Sequence, residues 1–166
     1  MRSLILALMA LTLASCASVQ KLDAANDVHG LLIAIRDNDQ AQFDAHVDRP
    51  ALKREIEARL MTEASRDKRL SVVAAFLGPS LASIAGDALI QPKVFRAVAD
   101  HYGYKPTTKV PSALAISQAL RPLPDGRMCA ITKKDGPCLM DFTKGADGRW
   151  KLSGFEGELS MLRLKL

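Results

Sequence analysis

At Pro111 the chain changes its hydrophobic period. Before it, apolar residues recur at three- and four-residue spacings; beyond it, short runs alternate and are separated by turn residues. A helix-period half followed by a strand-period half in one chain predicts an α+β fold, with N-terminal helices and an antiparallel sheet of about four strands packed on them by one face. The expected boundaries are one domain over residues 25–166, helical over 25–104 and strand-rich over 112–166.

The helical half carries its own punctuation. Ala25, Val28, Leu31, Leu32 and Ile35 predict a helix over 22–38, in which Gly30 costs up to about 1 kcal/mol against alanine. Asp39 with Gln42 three residues later reads as a capping box for a short helix carrying Phe43 and Val47. Asp48 before Pro50 reads as the cap of a third helix running to about Ser65. Its buried stripe is Leu52, Ile56 and Leu60, and Glu55 and Arg59 pair four apart on its wet side. No residue from Leu70 to Gly86 is charged, and Gly78-Pro79 breaks that run. A buried helical hairpin is expected there rather than a segment dipping into lipid. Pro92 opens another helix with Val94, Phe95, Val98 and His101; Gly103 suits its left-handed C-cap, and Pro106 stops it.

The second half has more turn chemistry than strand length. Leu114, Ile116 and Leu120 alternate weakly, while Ser112 would equally cap a helix. Pro124-Asp125-Gly126, Asp135-Gly136 and Asp147-Gly148 mark turns. A two-residue turn at Asp135-Gly136 sets Cys129 opposite Phe142, Ile131 opposite Met140 and Lys133 opposite Cys138. Cys129, Ile131, Cys138, Met140 and Phe142 then share one face. That register holds the two sulfurs too far apart for a bridge, which needs Cα atoms within about 7 Å. A bridge would need the hairpin recentred or a wider loop. Trp150 begins a further strand, and Leu162, Leu164 and Leu166 suggest an edge strand at the C-terminus.

The N-terminus bears on where the chain works. Arg2 precedes ten uncharged residues, Leu4 to Leu13, and then Ala14, Ser15, Cys16 and Ala17. The apolar run falls short of the roughly 20 residues that span a bilayer. It has the layout of a cleaved secretory signal. Leu13-Ala14-Ser15-Cys16 resembles the lipobox of bacterial lipoproteins, in which cleavage leaves the cysteine as the acylated N-terminus. The competing reading is an ordinary cut after Ala17, which would discard Cys16. The resemblance implies residues 1–15 as signal peptide, 16–24 as lipidated end and tether, and a membrane partner through lipid (palmitate among it) on Cys16. Ala17, in place of an aspartate after the cysteine, implies the outer membrane facing the periplasm. In that oxidising compartment Cys129 and Cys138 are candidates for a disulfide. Compartment argues for the bridge and turn chemistry against it, and the sequence does not choose.

A second resemblance rests on Ile35-Arg36-Asp37-Asn38-Asp39, Phe43 and Val47-Asp48-Arg49-Pro50-Ala51-Leu52-Lys53. With Ala88-Leu89-Ile90-Gln91-Pro92 and Gly148-Arg149-Trp150-Lys151-Leu152, these blocks resemble the bacterial domain of unknown function family 2939. The resemblance implies an exported or membrane-tethered α+β domain and transfers no catalytic residue. In element order alone the chain is also similar to the cone-shaped folds related to nuclear transport factor 2.

Removing residues 1–15 from the 166 leaves 151, enough for one domain with a core, and lowers the net charge from +5 to +4 through loss of Arg2. The charge does not point to nucleic acid. Lys53, Arg54, Arg59, Arg66, Lys68 and Arg69 interleave with Glu55, Glu57, Glu63 and Asp67, as on a solvated helix face. There is no His-Glu-x-x-His, nucleophile elbow, phosphate loop or dinucleotide fingerprint. His29, His46 and His101 lie far apart, Cys129 and Cys138 lack metal-ligand spacing, and Glu156 with Glu158 reads as a solvated edge. No catalytic residue, metal or cofactor is therefore expected. The expectation is a non-enzymatic envelope lipoprotein that binds a small apolar ligand, a lipid or an envelope protein. The alternative is an envelope hydrolase or isomerase with a site assembled from distant residues.

Overall fold

The computed structural model describes residues 2–66, 83, 84, 86–101 and 103–155. The apolar run 70–86 lies largely outside the described residues, and Glu156, Glu158 and the alternating C-terminal leucines lie wholly outside them. The fold is α+β. Among the described residues, helices α1 (Arg2–Asp37), α2 (Gln40–Ala45), α3 (Arg49–Arg66), α4 (Pro92–His101) and α5 (Ala113–Gln118) precede strands β1 (Leu120–Pro122), β2 (Met128–Ala130), β3 (Met140–Lys144) and β4 (Trp150–Phe155). The strands form one antiparallel meander in chain order.

Helix α1 is the spine. Ala24, Ala25, Val28, Leu31 and Ala34 make its buried stripe, with Leu32 and Ile35 partly buried beside it. The small alanines let the helix come close to the sheet. Asn38 ends it in the left-handed region at φ +55°, and the Asp39 carboxylate accepts from the Gln42 N–H at 3.0 Å to start α2. Asp48 accepts from the Ala51 N–H at 3.0 Å and opens α3. Both caps stand where the sequence places them. Val47 differs: it is past the end of α2 and forms an isolated parallel bridge to Leu152, so residues 46–48 cover the outer edge of β4. Residues 16–24 are helical, and Ala24 is fully buried.

Ser112 resolves the ambiguity after Pro111 toward a helix, its hydroxyl accepting from the Ala115 N–H at the start of α5. In the sheet, Leu120, Met128, Phe142, Trp150 and Leu152 face the helices and meet Phe43, Leu52, Ile56 and Ile90. Each fully buried large apolar side chain contributes roughly 1.5–3 kcal/mol against exposure. Phe43 also packs edge-on against Phe95 of α4 with ring centroids 5.2 Å apart, which ties the two helices together.

The β2–β3 register corrects the sequence reading by one residue. Met128 lies opposite Phe142 and Cys129 opposite Asp141, where a two-residue turn would have set Cys129 against Phe142. The connection is a wide loop over 131–139, in which the Gly136 N–H donates to Lys133 O at 2.8 Å. A one-residue slip exchanges the two faces of a strand. Met128 and Phe142 thus enter the core, Met140 is exposed, and Cys129 turns to the outer face. The hydrophobic pattern decides the register: pairing Met128 with Phe142 buries two large side chains that the alternative would split between faces.

A polar cluster on the outer face of the sheet

The outer face would be expected to meet water, yet part of it is buried. Cys129, Cys138 and Asp141 are 0, 6 and 5 % exposed. Cys129 and Cys138 are joined by a disulfide with Cα atoms 5.5 Å apart, and the wide 131–139 loop is what allows it. Folding that loop back sets Cys138 over β2 and β3, which shields Asp141 from solvent. The Asp141 carboxylate has one oxygen 3.1 Å from Cys138 Sγ and the other 3.0 Å from Arg127 Nη1. A buried carboxylate needs such a cationic partner, because desolvating it alone would cost several kcal/mol. Arg127 also donates to Asp125 at 2.7 Å in the β1–β2 turn, which orients the guanidinium.

A bulge brings a second carboxylate nearby. Phe142 pairs with Leu152 but Asp141 pairs with Gly154, leaving Ser153 as the extra residue, its hydroxyl donating to Asp141 O at 3.2 Å. The bulge turns Gly154 to the Asp141 side. A Cβ there would run into the Glu55 carboxylate and lie 3.7 Å from Asp141 Oδ2, so glycine leaves room for the Glu55 carboxylate to stand where it does. Glu55 accepts from the Phe155 N–H at 3.2 Å and from Arg59 at 2.8 Å; Arg59 also donates to Phe155 O and lies 4.6 Å above the Phe155 ring. The Glu55–Arg59 pair expected on the wet side of α3 therefore clamps that helix to the end of β4.

Another cluster closes the seam between α1 and β4. Trp150 is buried; its indole N–H donates to Asp23 at 3.0 Å and its backbone N–H to Asp27 at 2.7 Å. Lys144 bonds Asp23 at 2.7 Å and lies 5.7 Å from the Trp150 ring centroid. Lys144 first, and the indole second, hold the Asp23 carboxyl below the usual carboxylate range. Across the seam, the His46 Nδ1–H donates to Gln42 O at 2.8 Å, and its Nε2 is 3.9 Å from Asp27. A Cβ at Gly30 would sit 2.7 Å from that Nε2, so glycine in mid-helix makes room for the imidazole. His29 bonds Pro111 O at 2.7 Å. These histidines hold helices in place.

Of the sequence-predicted sites, the structure brings Cys129 and Cys138 together. Leu13, Ala14, Ser15 and Cys16 lie within the backbone of α1. Sequence reasoning missed Asp141, Arg127 and Asp27. A polar residue alternating with apolar ones in a strand looks like any solvent-facing position, and only Cys138-x-x-Asp141 hinted at more. Three potential ligand atoms, the two sulfurs and an Asp141 oxygen, lie within 4.8 Å of one another. While the sulfurs are bridged, neither is a thiolate, and the set cannot coordinate a cation.

The family model for a protein of unknown function, DUF2939, matches residues 4–98. The chain belongs to the DUF2939 family. The match takes in the Ile35–Lys53 and Ala88–Pro92 blocks, so the DUF2939 signature covers the helices that carry the Asp39 and Asp48 caps, Phe43 and Glu55. Gly148–Leu152, Cys129, Cys138 and Asp141 lie beyond the region matched to DUF2939. No curated protein and no solved structure matches the chain.

Proposed function

We propose that this chain is an outer-membrane lipoprotein whose folded domain, held at the periplasmic surface by an acylated Cys16, acts by binding rather than by catalysis. The observation that carries the proposal is the lipobox, Leu13-Ala14-Ser15-Cys16, placed at the end of an uncharged run too short to span a bilayer. A disulfide between Cys129 and Cys138 suits an exported domain. Among the described residues no helix is long and apolar enough to cross a membrane. Attachment through several acyl chains is durable, since each buried CH₂ contributes about 0.8 kcal/mol.

The packing of α1 gives this anchor a short reach. Asp23 is already bonded to Lys144 and Trp150. The helical segment between Cys16 and that contact spans about 10 Å at 1.5 Å per residue. The domain therefore rides close to the lipid, with Val19 and Leu22 exposed on the intervening turns. A lipid, an apolar ligand or a neighbouring envelope protein is the partner class such a position favours. The carboxylates the fold gathers, Glu55 and Asp141, are each tied to an arginine, which is how structural carboxylates are kept and gives the hydrolase alternative no support. Cys16→Ser tests the anchor: the wild-type chain should carry metabolically incorporated palmitate and sediment with outer membranes, and the variant should do neither. A freely diffusing wild-type protein whose first residue is Ser18 would end the proposal.

A further inference from the structure

We propose that the Cys129–Cys138 bridge masks a cation site, made of two thiolates and the Asp141 carboxylate, which opens when a dithiol reductant cleaves the disulfide. The inference is independent of the membrane anchor. Its starting point is the third donor: a disulfide needs no carboxylate beside it, yet Asp141 is buried against Cys138 Sγ at 3.1 Å. Two sulfurs and one oxygen within 4.8 Å are the protein part of a tetrahedral zinc site whose fourth position is left to water. Thiolate donors with one carboxylate favour Zn²⁺ over Mg²⁺ or Ca²⁺, which prefer oxygen alone.

Geometry and charge both permit the change of state. With Zn–S bonds of about 2.3 Å, the sulfurs of a tetrahedral site stand roughly 3.8 Å apart. Cα atoms 5.5 Å apart accommodate that by side-chain rotation, and Cys138 lies in the wide loop, outside the strands. The reductant supplies two electrons and two protons, the S–S bond breaks, and two thiols result. Binding Zn²⁺ then forms two Zn–S bonds and one Zn–O bond and releases the two thiol protons. Arg127 and Asp141 cancel each other in every state, and two thiolates cancel the zinc, so no net charge is buried when the metal enters. Arg127 on the second carboxylate oxygen would hold Asp141 in orientation, as outer partners of metal ligands do.

The test uses the full chain in detergent, carrying Cys16→Ser to remove the third thiol, reduced with a phosphine that is then removed under nitrogen. Co²⁺ is titrated first and Zn²⁺ second. The reduced chain should take up one Co²⁺ with thiolate-to-cobalt charge-transfer absorption, which Zn²⁺ discharges, while the oxidised chain shows none. Asp141→Asn in the reduced chain should weaken Co²⁺ binding by at least roughly tenfold, the lower end of what losing even an outer-shell partner costs. Equal cobalt uptake by reduced and oxidised chains would overturn the proposal, as would undiminished affinity in a folded Asp141→Asn chain. Where circular dichroism shows that variant unfolded, Cys138→Ser replaces it, and full affinity there is equally fatal.

Discussion

Opening the Cys129–Cys138 bridge should destabilise the fold by an amount that the loop length sets. The two residues are nine apart, and the chain-entropy relation for a loop of that size gives about 2.6 kcal/mol at 25 °C. Part of this returns in the reduced protein, because the Cys138 thiol acquires a proton and stands 3.1 Å from an Asp141 oxygen that accepts it. A hydrogen bond to a charged group contributes about 1.5–3 kcal/mol at most, and less here, where Arg127 already satisfies the carboxylate. The net loss on reduction is therefore about 1–2 kcal/mol, whereas Cys129→Ala with Cys138→Ala lacks the thiol and loses about 2.6 kcal/mol. Urea unfolding of the oxidised, reduced and double-alanine chains, followed by the fluorescence of the buried Trp150, measures all three. The expected order of stability is oxidised, then reduced, then double-alanine. If reduction costs less than about 0.5 kcal/mol, or the two altered chains coincide, the assignment of Asp141 as acceptor for the reduced thiol is wrong.

Gly30→Ala should fail to deliver the roughly 1 kcal/mol that alanine gains in a free helix, because its methyl group meets the His46 ring. In a His46→Ala background the same change should stabilise, and a thermal double-mutant cycle reads the reversal of sign. Gly154→Ala should cost about 1–3 kcal/mol in chemical denaturation, since it displaces Glu55 and leaves the Phe155 N–H without its acceptor; a change within 0.5 kcal/mol would contradict the close approach. Asp23 is depressed in the folded state, so the stability it contributes is present above its ordinary value near pH 4 and is lost as the pH falls through its lower folded value. Asp23→Asn should flatten the stability-against-pH curve below about pH 4 and leave the slope at neutral pH unchanged.

Local signals in this chain were legible because their physics is local. Asp39 and Asp48 cap helices through side-chain oxygens three residues from the N–H they accept, and Gly103 and Gly148 take the left-handed backbone that a C-cap and a hairpin turn demand. Periodicity likewise separated a helical half from a strand-bearing half, although the last helix, α5, falls beyond Pro111 and the first strand starts at Leu120. Misreadings arose where a local signal met a stronger distant one. Asp135-Gly136 has the composition of a tight hairpin turn, but burying Met128 and Phe142 on the helical side outweighs the turn preference and widens the loop. Gly30, a weakness in an isolated helix, is the space that His46 occupies. Glu55 and Arg59 look solvated on their own helix and become a clamp only when the end of β4 arrives beneath them.

Sequence alone determined the α+β class and the caps that open α2 and α3, since each depends on residues within one turn or one short run of the chain. Tertiary structure decided the register, the disulfide and the meeting of Arg127, Cys138 and Asp141. Those depend on which faces are buried together, and burial is a property of the assembled layers that no stretch of residues holds by itself.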